Sequence, residues 1–218
     1  VAPVRHRRDG VVSDAVRVGA APPRDAMKPS ESAGARVTAT YNAAADTYDD
    51  PANTFWERYG RRTVERLGLA PGLRVLDVCC GSGASALPAA EVVGPRGSVL
   101  GIDLAEKLLE RARAKAAERD LGNAEFRTGD MLDLGFARGA FDAVACVFGV
   151  FFVQDMAAAV RSLWSAVRPG GRLAITTWGP RFFEPATSTF WNAVRAERPD
   201  LYKGFNPWDR IVDPPALD

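Results

Sequence analysis

From Tyr41 onward, short apolar runs alternate with longer segments whose apolar positions recur every three or four residues. The runs "LRVLDVCC" (73–80), "SVLGID" (98–103), "AEFRTGD" (124–130), "FDAVACVFGVF" (141–151) and "GRLAITTW" (171–178) read as five strands. Helices are expected between and before them. One carries Phe55, Tyr59 and Leu67, can be capped by Asn53 or Thr54, and stops near Gly68 and the Pro71-Gly72 turn. A second, Ala-rich, runs from Gly83 to about Val93. A third, "LAEKLLERARAKAAERD", sets Leu104, Leu108 and Ala112 on one face, while its alternating charges from Glu106 to Arg119 form a solvated face. Between Gln154 and Arg168, Met156, Ala159, Val160, Leu163, Trp164 and Val167 recur at helical spacing, with Asp155 as cap and Pro169-Gly170 as stop. Continuous apolar strands separated by helices predict an α/β fold, a doubly wound and mostly parallel sheet covered on both faces.

The remainder divides the chain further. Residues 1–37 mix Arg, Pro, Ala and Gly without an apolar period, with seven Lys/Arg against four acids, and read as a flexible leader. Residues 38–70 read as an N-terminal helical lid, 71–180 as the core, and 181–218 as an aromatic segment.

Composition narrows the function classes. Charged residues make up 25% of the 218, and the formal net charge is +1, so no basic footprint for nucleic acid is present. The longest apolar run, Ala143 to Val153, is too short to span a bilayer. Cys79, Cys80 and Cys146 do not pair up as a disulfide framework and fit a reduced, cytoplasmic compartment. The only histidine is His6, and no Cys/His set has metal-ligand spacing, so no metal is expected.

Parallel sheets bind ligands beyond the carboxyl ends of their strands. Gly81 and Gly83 there allow a tight turn and close backbone approach, with a helix N-terminus behind them. A dinucleotide would suit that loop too, and Asp103 could bind an adenosine ribose in either case. Asp77, just before the loop, discriminates: it would repel a pyrophosphate and favour a cationic ligand. S-adenosylmethionine, with an adenosine at one end and an amine and sulfonium at the other, meets both demands. NAD(P)-dependent oxidoreduction is the alternative. Asp77 and Asp103 as mere turn or helix caps, and the two adjacent cysteines as small buried residues, are the bland readings.

Through "YNAAADTYD", "VLDVCCGSG", "GIDLAEKLLERARAKA", "FRTGDMLDLGF", "FDAVACVFGVF" and "LWSAVRPGGRLAITTW", the chain resembles the class I S-adenosylmethionine-dependent methyltransferases, Rossmann-like enzymes. It is most similar to the small-molecule group that includes the ubiquinone/menaquinone biosynthesis enzymes. The resemblance implies that Asp77, Gly81 and Gly83 hold the methionine moiety and that Asp103 binds the ribose hydroxyls. Leu104 and Met131 would meet the adenine, and Asp130 would accept from its amine. Phe148 would line the cofactor, and Tyr41 and Tyr48 would form the lid. It implies methyl transfer to an oxygen or carbon of a small apolar or aromatic acceptor, without naming a catalytic base. Trp178, Phe182, Phe183, Phe190 and Trp191 are expected to line an acceptor pocket. Two departures matter. Cys79 stands where the family often has Gly or Ala, and the family's sheet ends with two further strands, whereas forty residues follow Trp178 here. A truncated chain, or an inactive cofactor-binding fragment, is therefore the third reading.

Overall fold

The structure is a computed structural model that describes residues 33–181, 183–202 and 207–212. Five strands form one parallel sheet: β1 (Arg74–Val78), β2 (Ser98–Asp103), β3 (Ala124–Thr128), β4 (Phe141–Val147) and β5 (Val167–Thr176), in the order β3-β2-β1-β4-β5. Helices α1 (Ala33–Tyr48), α2 (Phe55–Leu67), α3 (Ala86–Val93), α4 (Glu106–Glu118), α5 (Met156–Ala166) and α6 (Ala186–Glu197) complete the described secondary structure, with short 3₁₀ turns at 150–152, 199–201 and 207–210. The α/β expectation holds. No helix among the described residues is long and apolar enough to cross a membrane.

One apolar layer lies between the sheet and α2, α3 and α4, built on Val75, Val99, Leu87, Val93 and Leu109. The other lies between the sheet and α5, built on Leu76, Val78, Ile102, Val144 and Leu163. Strands buried on both faces read as near-continuous apolar runs, which is why β1, β2 and β4 were legible. After β3 the chain crosses to the far side of β1. The order therefore reverses between β1 and β4, and a crevice opens beyond Val78 and Val147.

Three boundaries differ from expectation. Helix α1 begins at Ala33, inside the stretch read as leader, because Tyr41, Ala45 and Tyr48 share a helical face that packs on Ala105 and Leu108; residues 1–32 lie outside the described set. Strand β5 begins at Val167 and includes Pro169-Gly170, since Val167 pairs with Phe141 before the register shifts to Arg172 opposite Ala143. Trp164 is 58% exposed although it falls on the predicted apolar face of α5, at the edge of the stripe that Ala159 and Leu163 bury fully. Helix α2 ends as expected, with Gly68 left-handed and its N–H donated to the Glu65 carbonyl.

Helix α2 is pressed against the loop after β1. A Cβ on Gly60 would stand 2.2 Å from the Ala84 carbonyl oxygen. The Thr63 and Thr176 hydroxyls meet at 2.6 Å, and the Arg172 guanidinium donates to the Leu67 carbonyl at 2.7 Å, tying α2 to β5. Gly60→Ala should therefore lose about 2 kcal/mol, although alanine favours helix by about 1 kcal/mol. Urea unfolding measures it; unchanged or increased stability would show that the loop yields.

Candidate cofactor site at the switch point

A cavity of about 340 Å³ occupies the crevice, within the size range of small-ligand sites, roughly 300–1,000 Å³. Its floor is the loop after β1, where Cys79, Gly81, Ser82 and Ser85 face it; the end of β2 and the residues after it contribute Asp103 to Ala105, the turn after β3 Gly129 to Leu132, and the turn after β4 Phe148. Its roof is α1 and the start of α2, through Val37, Thr38, Tyr41, Tyr48 and Trp56. Cys79 and Phe148 sit at the ends of the two switch strands with φ of 60° and 54°. Left-handed backbone at bulky non-glycine residues is a strained arrangement that concentrates at functional sites.

Asp103 organises the floor. Its Oδ2 accepts from the Gly81 N–H at 2.9 Å and its Oδ1 from the Ala105 N–H at 2.8 Å. One lone pair on each oxygen remains for a ligand diol. Burial pushes its pKa up, against the pull of those backbone donors. Asp130 turns its own chain, Oδ1 accepting from the Leu132 N–H at 2.9 Å, and so points the following turn into the cavity. Met131 is buried and Leu104 is 38% exposed, two apolar surfaces at one end of the space. Among the described lining residues, the charged side chains are Asp103 and Asp130.

The roof is aromatic. Tyr48 stacks on Trp56 at 5.4 Å, and Tyr41 meets both Tyr48 and Phe152 edge-on. Burial raises the pKa of both tyrosines, with the Asp103 charge adding to it, so both keep their hydroxyl protons. Behind them, Phe148 stacks on Trp178 at 4.2 Å, and Phe55 and Tyr59 pack on Phe148.

The structure thus brings Tyr41, Tyr48, Gly81, Asp103, Leu104, Asp130, Met131 and Phe148 to one cavity. Asp77 and Gly83 do not line it. Gly83 faces Leu87 and Ala112, so it serves helix packing rather than the ligand space. Asp77 is 1% exposed beneath the loop, its Oδ2 accepting from the Ser85 hydroxyl at 2.7 Å while Oδ1 has no partner. Any influence it has on a ligand is therefore electrostatic or through Ser85, not by direct contact. Phe190, on α6, is 60% exposed, and neither it nor Trp191, Trp178 or Phe183 lines the cavity; Phe182 lies outside the described residues. Residues that sequence reasoning missed are Val37, Thr38, Trp56, Ser82 and Ser85. Trp56 and Thr38 carry no local signal, since only the folding of α1 and α2 over the loop brings them there.

The cysteines are quiet. Cys79 is partly exposed and Cys80 and Cys146 buried; a hydrogen bond with Cys146 and burial raise the Cys79 thiol well above its usual value, and burial does the same for Cys80.

Residues 75–171 match a family model described as a methyltransferase domain. The nocamycin O-methyltransferase of Saccharothrix syringae is 38% identical over 62% of this chain and 49% of its own length. An aklanonic acid methyltransferase of Streptomyces sp. strain C5 is 38% identical over 65% of this chain and 64% of its own. The demethylmenaquinone methyltransferase of Lactococcus lactis is 33% identical over 63% and 56%. The chain spans about half to under two thirds of the length of these relatives. Among solved structures, a [4+2]-cyclase is 29% identical with a TM-score of 0.50, covering 55% of this chain and 43% of the other. A SAM-dependent methyltransferase from Aquifex aeolicus is 24% identical with a TM-score of 0.55, over 63% and 73%, which shows the shared fold. The cyclase shows that one fold hosts different chemistries, so activity has to be argued from the site. The matched span and the run of methyltransferase relatives agree: residues 75–171 of this chain are similar to a methyltransferase domain.

Proposed function

We propose that the cavity binds S-adenosylmethionine and that the protein transfers its methyl group to an oxygen or carbon of a small apolar or aromatic acceptor. The observation that carries this reading is the charge of the crevice: two carboxylates, Asp103 and Asp130, line it beneath an aromatic roof, with a third, Asp77, buried under the loop. A sulfonium and an amine are stabilised in such a field, whereas a dinucleotide pyrophosphate is repelled. The relatives named above, which act on nocamycin, aklanonic acid and demethylmenaquinone frameworks by their names, favour an acceptor of this class.

The residues present fit that cofactor. Asp103 has acceptor capacity for the ribose hydroxyls, Leu104 and Met131 offer apolar faces to the adenine, and Asp130 can accept from its amine. Gly81 exposes backbone to the methionine portion. Tyr41, Tyr48 and Trp56 exclude water, and an aromatic face near a sulfonium adds about 0.5–2 kcal/mol. When bound, the cofactor supplies an activated methyl on a good leaving group; the chain contributes alignment and dryness. Among the titratable lining groups, both tyrosines, Cys79 and Cys80 hold their protons tightly, Asp103 is engaged by two backbone amides, and Asp130 by that of Leu132. An acceptor that arrives ionised, as a phenolate or enolate, therefore suits the site.

Calorimetric titration of the chain with S-adenosylhomocysteine and, separately, NADH tests the cofactor. Binding of the first alone, followed by methyl transfer from S-adenosylmethionine to a panel of phenols and quinols, is the expected result. Preferential binding of NADH would sink the reading. Cofactor binding without transfer to any acceptor would support the inactive alternative.

A further inference from the structure

The ion-pair cluster behind the glycine-rich loop reaches the cavity lining only at Ser82, yet it joins three of the elements around the cavity. Asp49 follows directly on α1. Its Oδ1 accepts from the Ser82 hydroxyl at 2.6 Å and from Lys115 Nζ at 3.0 Å; its Oδ2 accepts from Arg111 Nε at 3.0 Å. Lys115 also donates to the Ser82 hydroxyl at 3.1 Å. One carboxylate thus ties the end of α1 to the loop after β1 and to α4.

The adjacent residue is Tyr48. A Cβ on Gly81 would lie 3.8 Å from the Tyr48 hydroxyl, so the ring is held directly over the loop. Beyond the ring contacts of Tyr41 with Phe152 and Tyr48 with Trp56, the apolar contact that seats α1 is thin: Ala45, with Tyr41 and Tyr48, packs on Ala105 and Leu108, and Asn42 Oδ1 accepts from the Lys107 N–H at 3.0 Å. A helix held by so few apolar side chains depends on its polar anchor for position. Isolated surface ion pairs contribute little. This one differs, because a single carboxylate takes three donors, and the Asp49 and Lys115 side chains are only 22% and 24% exposed. Burial pushes the Asp49 carboxyl up, but the hydrogen bonds from Ser82 and Lys115 and the lysine charge together hold it below the usual carboxylate range.

We propose that Asp49 is a positioning residue for the cavity: its carboxylate clamps α1 onto the loop after β1 and onto α4, and so holds Tyr41 and Tyr48 closed over the bound cofactor. The clamp operates with or without ligand. Its effect on affinity rests on the cofactor reading above, whereas its effect on α1 does not.

The experiment uses the full chain, its Asp49→Asn and Lys115→Met variants, and the double variant, each checked by thermal unfolding. Two quantities are read: hydrogen exchange of the α1 amides without ligand, and the affinity for S-adenosylhomocysteine at low and high salt. In Asp49→Asn, α1 exchange should accelerate on the order of tenfold while β1 and β2 stay unchanged, and affinity should fall on the order of tenfold. Added salt should weaken binding by the parent chain and barely affect the variant. The double variant should lose no more than Asp49→Asn alone, since the two groups act as a pair. If Asp49→Asn does not fold, Lys115→Met reads the same quantities, with about threefold effects expected. Unchanged α1 exchange and unchanged affinity overturn the clamp while leaving the cofactor reading intact. Failure of the parent chain to bind S-adenosylhomocysteine overturns the cofactor reading, and α1 exchange then decides the clamp by itself.

Discussion

Asp103→Ala should weaken S-adenosylhomocysteine binding by at least about a hundredfold, the largest single-site loss expected in this cavity. Two effects combine. The proposed ribose contacts are hydrogen bonds to an ionised group, worth about 1.5–3 kcal/mol each, and their loss alone accounts for most of the decrease. The same carboxylate also holds the Gly81 and Ala105 amides, so its removal loosens the loop and the start of α4 together. Asp103→Asn keeps one carbonyl acceptor and no charge, and should fall between the parent and alanine. Calorimetry with the three proteins separates these outcomes, with thermal unfolding to show that the fold persists. An alanine variant binding within about threefold of the parent would remove Asp103 from the site, because a buried charged contact cannot be lost so cheaply.

The grounds for that prediction were partly visible in the sequence. Asp103 ends an apolar run and precedes a helical period, a placement that a parallel sheet turns into a strand end beside the switch point. Residues such as Met131 and Phe148 were legible for the same reason. What could not be read is the direction of side chains inside a strand buried on both faces. In Val75-Leu76-Asp77-Val78 every position is buried, so no polar alternation shows which way Asp77 points. The two glycines of the loop look equivalent, yet Gly81 faces the cavity and Gly83 faces Leu87 and Ala112, a difference set by the packing of α3 and α4. The roof was the least legible part. Thr38 and Trp56 lie eighteen positions apart and reach one space only because α1 and α2 fold back over the loop. Helix α1 has a weak apolar stripe, and it starts within a stretch that shows no apolar period. Its placement depends instead on contacts distant in sequence, Asp49 with Arg111 and Lys115 above all.

Asp77→Asn should stabilise the ligand-free protein strongly at alkaline pH and much less at mildly acidic pH. Asp77 is buried with one oxygen unpaired. Burial raises its pKa to about 7; the Ser85 hydrogen bond opposes this and the Asp103 charge adds to it. In the unfolded chain the same carboxyl titrates near 3.8. The folded state therefore holds a proton that the unfolded state releases across that interval. The stability it contributes is fully present below the unfolded value and is lost as pH rises through about 7. Each pKa unit is worth about 1.4 kcal/mol, so the ionised carboxylate costs on the order of 4 kcal/mol above neutrality relative to its acid form. Asparagine cannot ionise and keeps an acceptor for the Ser85 hydroxyl. Urea unfolding of both proteins at about pH 5 and about pH 8 should show a gain for the variant at the second that is more than twice that at the first. A gain of equal size at both would mean that packing, not ionisation, separates them. The same substitution should weaken S-adenosylhomocysteine binding, since a charge beneath the loop that destabilises the empty protein favours a ligand bearing an ammonium group. Asp77 would then be retained for binding at a cost in stability, as expected of an unsatisfied buried group beside a functional crevice.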